Sequence, residues 1–166
     1  MKPDRTFLLA HPAHFIALGF GSGLAPKAPG TFGTLAALPI YLAAWLLGGN
    51  VMVGACAVVL FGVGIWASDI AGKALGVSDH GGIVIDEIAA FLLVLAFVPA
   101  GPAKLWWIAA AFVSFRVFDI VKPWPINVAD RTIKGGFGVM FDDLLAALFS
   151  IALLLGFHSI MLGTPT

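Results

Sequence analysis

Charge is scarce in this sequence: Asp, Glu, Lys and Arg make up 11% of its 166 residues, against roughly 25% in an ordinary soluble domain. Nine bases offset nine acids, so the net charge is zero and no basic field exists to neutralise a phosphate backbone. Nucleic acid is therefore excluded as a partner. Cysteine is nearly absent as well. The single Cys56 lies in an apolar run and reads as a small packing residue, which leaves no disulfide framework and no thiolate metal cluster. The sequence also lacks a Gly-x-Ser-x-Gly elbow, a His-Glu-x-x-His helix and a usable Cys/His pair. Serine-hydrolase, zincin and thiol chemistry are accordingly not expected.

Apolar length is what the chain has in abundance. Its 60% hydrophobic content and mean hydropathy of +1.02 argue against a water-soluble globule, and its size fits a single domain over 1–166. Residues 28–68 carry no charge, and neither do 88–103, 105–115 and 144–166. One crossing of a ~30 Å core takes about 20 residues, so 28–68 holds two crossings, with Gly48, Gly49 and Asn50 as the turn. The pattern predicts an all-α polytopic membrane bundle of about five transmembrane helices: 34–48, 51–68, 87–99, 104–121 and 143–162. The apolar stretch 7–20 is interrupted by His11, Pro12 and His14; it reads as an interfacial or re-entrant segment of the mature fold rather than a cleaved leader.

Counting crossings brings the N-terminus and the loops 69–86 and 122–142 to one face. Lys2, Arg5, Lys27, Lys73, Arg116, Lys122, Arg131 and Lys134 lie at or near it, and only Lys104 lies opposite. That asymmetry predicts a cytoplasmic face. The tryptophans agree, because Trp45, Trp106 and Trp107 fall near the outer boundary and Trp66 and Trp124 near the inner one.

The acids gather on the same face. Asp86 and Glu87 follow Gly81-Gly82 and are expected to open one helix; Asp142 and Asp143 follow Gly135-Gly136 and are expected to open another. Anions favour helix N-termini by about 0.3–1 kcal/mol, which accounts for one carboxylate per helix. Adjacent pairs near a bilayer point instead to a compensating cation, Mg²⁺ by its preference for oxygen. Arg116, Asp119 and Lys122, spaced i, i+3, i+6, share an arc of ~120° on one helix. They are read either as an internal ion-pair group or as a grip for a phosphate dianion. The glycine-rich run from Gly19 to Gly33 is either a hinge or an anion nest. Within it Thr31 is read as a phosphate contact or a helix N-cap, with Thr34 a weaker candidate. His80, next to Asp79, is the histidine placed to serve as an acid or orienting group.

Four blocks carry a resemblance. They are Gly30-Thr31-Phe32-Gly33; Asp79-His80-Gly81-Gly82-Ile83-Val84-Ile85-Asp86-Glu87; Phe115-Arg116-x-x-Asp119-x-x-Lys122-Pro123-Trp124-Pro125-Ile126; and Asp130-Arg131-x-x-x-Gly135-Gly136-x-Gly138-x-Met140-x-Asp142-Asp143. In this order they resemble the phosphatidylglycerophosphatase A family; Lys27 and Asp69 fall outside them. The resemblance implies an integral inner-membrane, Mg²⁺-dependent phosphatase that converts phosphatidylglycerophosphate to phosphatidylglycerol and phosphate, with its site at the cytoplasmic face. Joined to the reading above, it gives Asp86, Glu87, Asp142 and Asp143 as the metal cage, with Asp79 as a further ligand. Arg116, Lys122, Thr31, Lys134 and His80 are the candidate phosphate contacts. Asp119 is the candidate base, with Glu87 competing and Asp86 and Asp143 beside them in catalysis; attack by water or by an aspartate both remain open. The opposing class is an ion- or metal-coupled transporter using the same acids and bases.

Overall fold

The computed structural model describes residues 2–163, and among these every regular element is helical. Two short helices come first, α1 (Arg5–Ala10) and α2 (Pro12–Ala17). Asp4 Oδ1 caps α1 by accepting from the Phe7 N–H at 2.8 Å. His11 caps α2 through Nδ1, with Pro12 at the first helical position, where its missing N–H costs nothing. The stretch expected as one interfacial segment is thus split at His11-Pro12 and packs on the bundle, with Ala13, Ala17 and Leu18 fully buried. A 3₁₀ turn over Gly19–Leu24 leads on to α3.

Helix α3 (Pro29–Leu75) is two limbs joined at Gly48 and Gly49, whose dihedrals leave the helical region. Gly49 has φ 63° and ψ −156°, a combination essentially reserved for glycine. The limbs run in opposite directions. Gly33 in the first and Gly64 in the second both abut the start of α4 at Val84 and Ile85, whereas Gly54 meets Ala96 at its end. Helices α4 (Ile85–Ala96), α5 (Lys104–Val121), α6 (Ile126–Thr132) and α7 (Gly135–Gly163) complete the chain.

Several expected bounds shift. The third stretch stops at Ala96 rather than 99, and a short α6 occupies the 122–142 segment. The last helix starts at Gly135, so Asp142 and Asp143 lie about two turns inside it instead of opening it. Thr31 is not an N-cap: Ala28, at φ 48°, holds that position ahead of Pro29.

Helix α4 is the core. Ile85, Ile88, Phe91, Leu92 and Leu95 are fully buried, with α3, α5 and α7 packed around them. Its 12 residues span only about 18 Å, and it is enclosed by the longer helices around it. The outer surface is apolar in turn, with Leu47, Val51, Leu105 and Trp106 largely exposed. Two helical runs are long and apolar enough to cross a membrane, Pro29–Leu75 and Gly135–Met161. At one end of the bundle Lys104 sits 3.6 Å over the Trp45 ring. At the other, the N-terminal segment and the two polar connections meet, Pro3 against Gly82 and Gly136 against Asp69.

Candidate active site

Helices α3, α4, α5 and α7 converge at that second end around a cavity of about 400 Å³, walled by Gly30, Asp79, Asp86, Glu87, Arg116, Asp119, Lys122, Asp142 and Asp143. Glycine is what lets the helices meet there. A methyl group on Gly30 would land on Glu87 Oε1 and within 3.3 Å of both Arg116 Nη atoms. Gly23 meets the Gly82 carbonyl and Gly33 the Val84 side chain in the same way. These glycines of the N-terminal run, which the sequence reads as either a hinge or an anion nest, serve close approach to the 82–87 segment.

Asp86, Glu87 and Asp143 each direct an oxygen into one cluster, all within 4.8 Å of one another. Asp86 Oδ1 accepts from the Glu87 N–H at 3.0 Å. Glu87 Oε2 and Asp143 Oδ2 are buried with no hydrogen-bond partner in the structure. Buried carboxylate oxygens left without a partner are costly, and the three carboxyl groups converging here form the donor set of a hard divalent cation. The residues thus suit a divalent cation that prefers oxygen, such as Mg²⁺, by donor type and by their convergence.

Arg116 lies beside the cluster. Its Nη1 donates to Asp119 Oδ2 at 2.5 Å, stands 3.8 Å from Glu87 Oε1 and reaches Thr34 Oγ1 at 3.4 Å. Thr34, rather than Thr31, is the hydroxyl at this point, and its own proton goes to the Gly30 carbonyl at 2.9 Å. The pairing of Arg116 with Asp119 matches the helical spacing. Lys122 departs from it, because φ 45° takes it out of α5 as the C-cap. Its ammonium then donates to Asp130 Oδ1 at 2.6 Å and Asp142 Oδ2 at 2.5 Å. Burial works against the charge on Lys122, but those two carboxylates outweigh it and hold the ammonium protonated above the ordinary lysine range. Asp79, in the loop before α4, is pushed the other way: burial raises its carboxyl above the usual range despite Lys122 nearby.

The structure therefore gathers Asp86, Glu87, Asp143, Asp119 and Arg116 in one group, with Lys122, Asp142 and Asp79 on the same walls. Asp142 faces Lys122 instead of the three-carboxylate cluster. The remaining candidates lie outside the cavity lining. His80 Nδ1 accepts from the Gly82 N–H at 3.0 Å and shapes the turn, Lys134 is exposed and bonds the Asp130 carbonyl, and Thr31 sits in the first turn of α3. Asp130 was not a candidate from sequence, and nothing in its spacing from Lys122 across two prolines announces their contact.

The chain matches the family model described as phosphatidylglycerophosphatase A over residues 15–158. It is 40% identical to the phosphatidylglycerophosphatase A of Escherichia coli K12, covering 90% of this chain and 87% of that one. The Haemophilus influenzae protein of the same name is 41% identical, with 90% and 91% covered. A Bacteroides thetaiotaomicron protein named "Putative phosphatidylinositol-3-phosphatase" is 41% identical over 84% of this chain and 89% of its own. No solved structure matches. Because the family model runs from α2 into α7 and takes in every residue that walls the cavity, the chain belongs to the phosphatidylglycerophosphatase A family and is a phosphatase.

Proposed function

We propose that this protein hydrolyses the terminal phosphate of phosphatidylglycerophosphate, releasing phosphatidylglycerol and inorganic phosphate, with Mg²⁺ held by Asp86, Glu87 and Asp143. The observation that carries the reading is the convergence of three carboxylates, with two unpartnered buried oxygens, beside a guanidinium. The relatives' names supply the substrate. Bound metal supplies Lewis acidity toward the phosphoryl oxygens and acidity to a water. Arg116, clamped by Asp119, presents its remaining donors to the phosphoryl group and stabilises charge that grows on it. Asp119 is the carboxylate assigned to take the attacking water's proton. The water oxygen bonds to phosphorus, the ester P–O bond breaks, and the departing glycerol oxygen receives the proton that Asp119 took from water, giving the hydroxyl of phosphatidylglycerol and inorganic phosphate.

Phosphate release by purified protein tests this directly. Phosphatidylglycerophosphate is expected to be cleaved with Mg²⁺, and chelation with EDTA is expected to abolish cleavage until Mg²⁺ returns. Undiminished turnover in EDTA rejects the metal assignment. A preference for phosphatidylinositol phosphate in parallel assays moves the substrate toward the Bacteroides relative's name. Ion flux through reconstituted vesicles without phosphate release revives the transporter reading.

The same proposal places the cavity at the cytoplasmic face of an inner membrane crossed five times, with the two limbs of α3 counted separately and α4 carried inside the bundle. Eight bases at one end and Lys104 at the other support the orientation. In a Cys56→Ser background, Asn50→Cys and Ala100→Cys are expected to react with impermeant maleimide only from outside, and Ser78→Cys only from the cytoplasm. Labelling of Asn50→Cys and Ala100→Cys from the cytoplasm alone overturns the five-crossing arrangement.

A further inference from the structure

Lys122 presents a problem of orientation. A lysine ammonium is a compact charge on a flexible four-carbon stem, and this one is released from helical geometry by its left-handed backbone. Two carboxylates from different elements hold it, Asp130 on α6 and Asp142 on α7. They are unequal partners: the Asp142 side chain is 7% exposed and that of Asp130 33%. Both acids also wall a smaller polar cavity of about 160 Å³ that Lys122 does not line; Lys122 lines the main one, together with Asp142. An ammonium carries three donors, and these two bonds use two of them.

We infer that Asp130 is a positioning residue, which with Asp142 fixes the Lys122 ammonium so that its third N–H is presented to the phosphoryl group in the main cavity. This rests on the reading that the cavity binds phosphate. Preorganised donors of this kind act on turnover, because the charge they meet is largest in the transition state. Simple electrostatics predicts the opposite effect. Asp130 is an anion near an anionic substrate, so if its charge were all that mattered, removing it would tighten phosphate binding and raise kcat/KM. If it positions Lys122, removing it lowers kcat while KM stays level or falls. The effect must also pass through Lys122.

A double-mutant cycle on the full-length protein tests both points, using Asp130→Asn, Lys122→Ala and the combination. Phosphate release from phosphatidylglycerophosphate is the assay, and inorganic phosphate serves as a competitive probe of ground-state binding. Asp130→Asn is expected to lower kcat about 10-fold, in the range seen when outer partners of a site are lost, without a rise in KM or in the inhibition constant of phosphate. In the Lys122→Ala background the same change is expected to alter kcat less than twofold. Asp130→Ser carries the same cycle should the asparagine variant express poorly. Multiplying effects, or a gain in kcat/KM on loss of Asp130, overturn the positioning role in an otherwise active enzyme. A wild-type protein that neither releases nor binds phosphate overturns the reading of the cavity itself, and this inference with it.

Discussion

Glu87→Gln, Asp143→Asn and Asp86→Asn are each expected to cut phosphate release at least 100-fold while the protein still elutes as a folded species with unchanged helix content. Each change keeps the shape of the side chain and removes a charge. Loss of an outer partner of a metal ligand already costs 10- to 100-fold, so loss of a ligand charge costs more. The oxygens concerned lie within 4.8 Å of one another in a buried site, where mutual repulsion opposes folding without a cation. The variants should therefore be no less stable than wild type in EDTA, and should lose the stabilisation that Mg²⁺ gives the wild type. Comparison of thermal melts with and without Mg²⁺ checks this. Normal turnover in all three variants, with normal Mg²⁺ dependence, would remove the cluster from the site and leave the α4 acids as helix-terminal charges.

Arg116→Lys is expected to cost about 10²- to 10³-fold in kcat, the loss seen when one preorganised donor to a developing charge is removed. The charge survives the substitution but the planar fork does not, and a lysine cannot bond Asp119 while presenting parallel donors to a phosphoryl group. Asp119→Asn separates two roles. If Asp119 takes the water's proton, turnover collapses with inorganic phosphate binding nearly intact. If it only holds Arg116 at 2.5 Å, phosphate binding and turnover fall together. Kinetics and phosphate inhibition measured on both variants distinguish these outcomes, and unchanged turnover in both would exclude the pair from catalysis.

What could be read from sequence was whatever local backbone chemistry controls. The break at Gly48 and Gly49 followed from two adjacent glycines in a run too long for one crossing. Helix α5 was bounded by Lys104 and by the prolines after Lys122, and Asp86 and Glu87 do stand in the first turn of α4. Gly135-Gly136-x-Gly138 looks like a loop in sequence, which sets the expected start of α7 at 143 rather than at Gly135. Those glycines serve packing instead. A methyl group on Gly136 would fall on the Ile65 carbonyl, and one on Gly138 on the Ile133 carbonyl. The three-carboxylate cluster was legible as residue types, but its membership was not. Whether Asp142 or Asp143 turns toward Glu87 depends on the rotation of α7 against α4, which no local pattern encodes. Lys122 shows the same limit, since its partners come from the left-handed turn that ends α5 and from tertiary packing of α6.

Gly30 stands at the head of the first long helix and Asp143 in the last, yet both wall the same cavity. A chain leaving the ribosome delivers its N-terminal elements first, so α3, α4 and α5 reach the bilayer with their acids and Arg116 in place but without Asp143. A nascent chain halted before α7 therefore holds Glu87 and Arg116 beside an incomplete cluster, and on the proposed assignment it is expected to release no phosphate. On the proposed assignment, the cavity closes around a complete carboxylate cluster only once α7 has joined the earlier helices, so the onset of phosphate release is expected to follow the docking of that last helix.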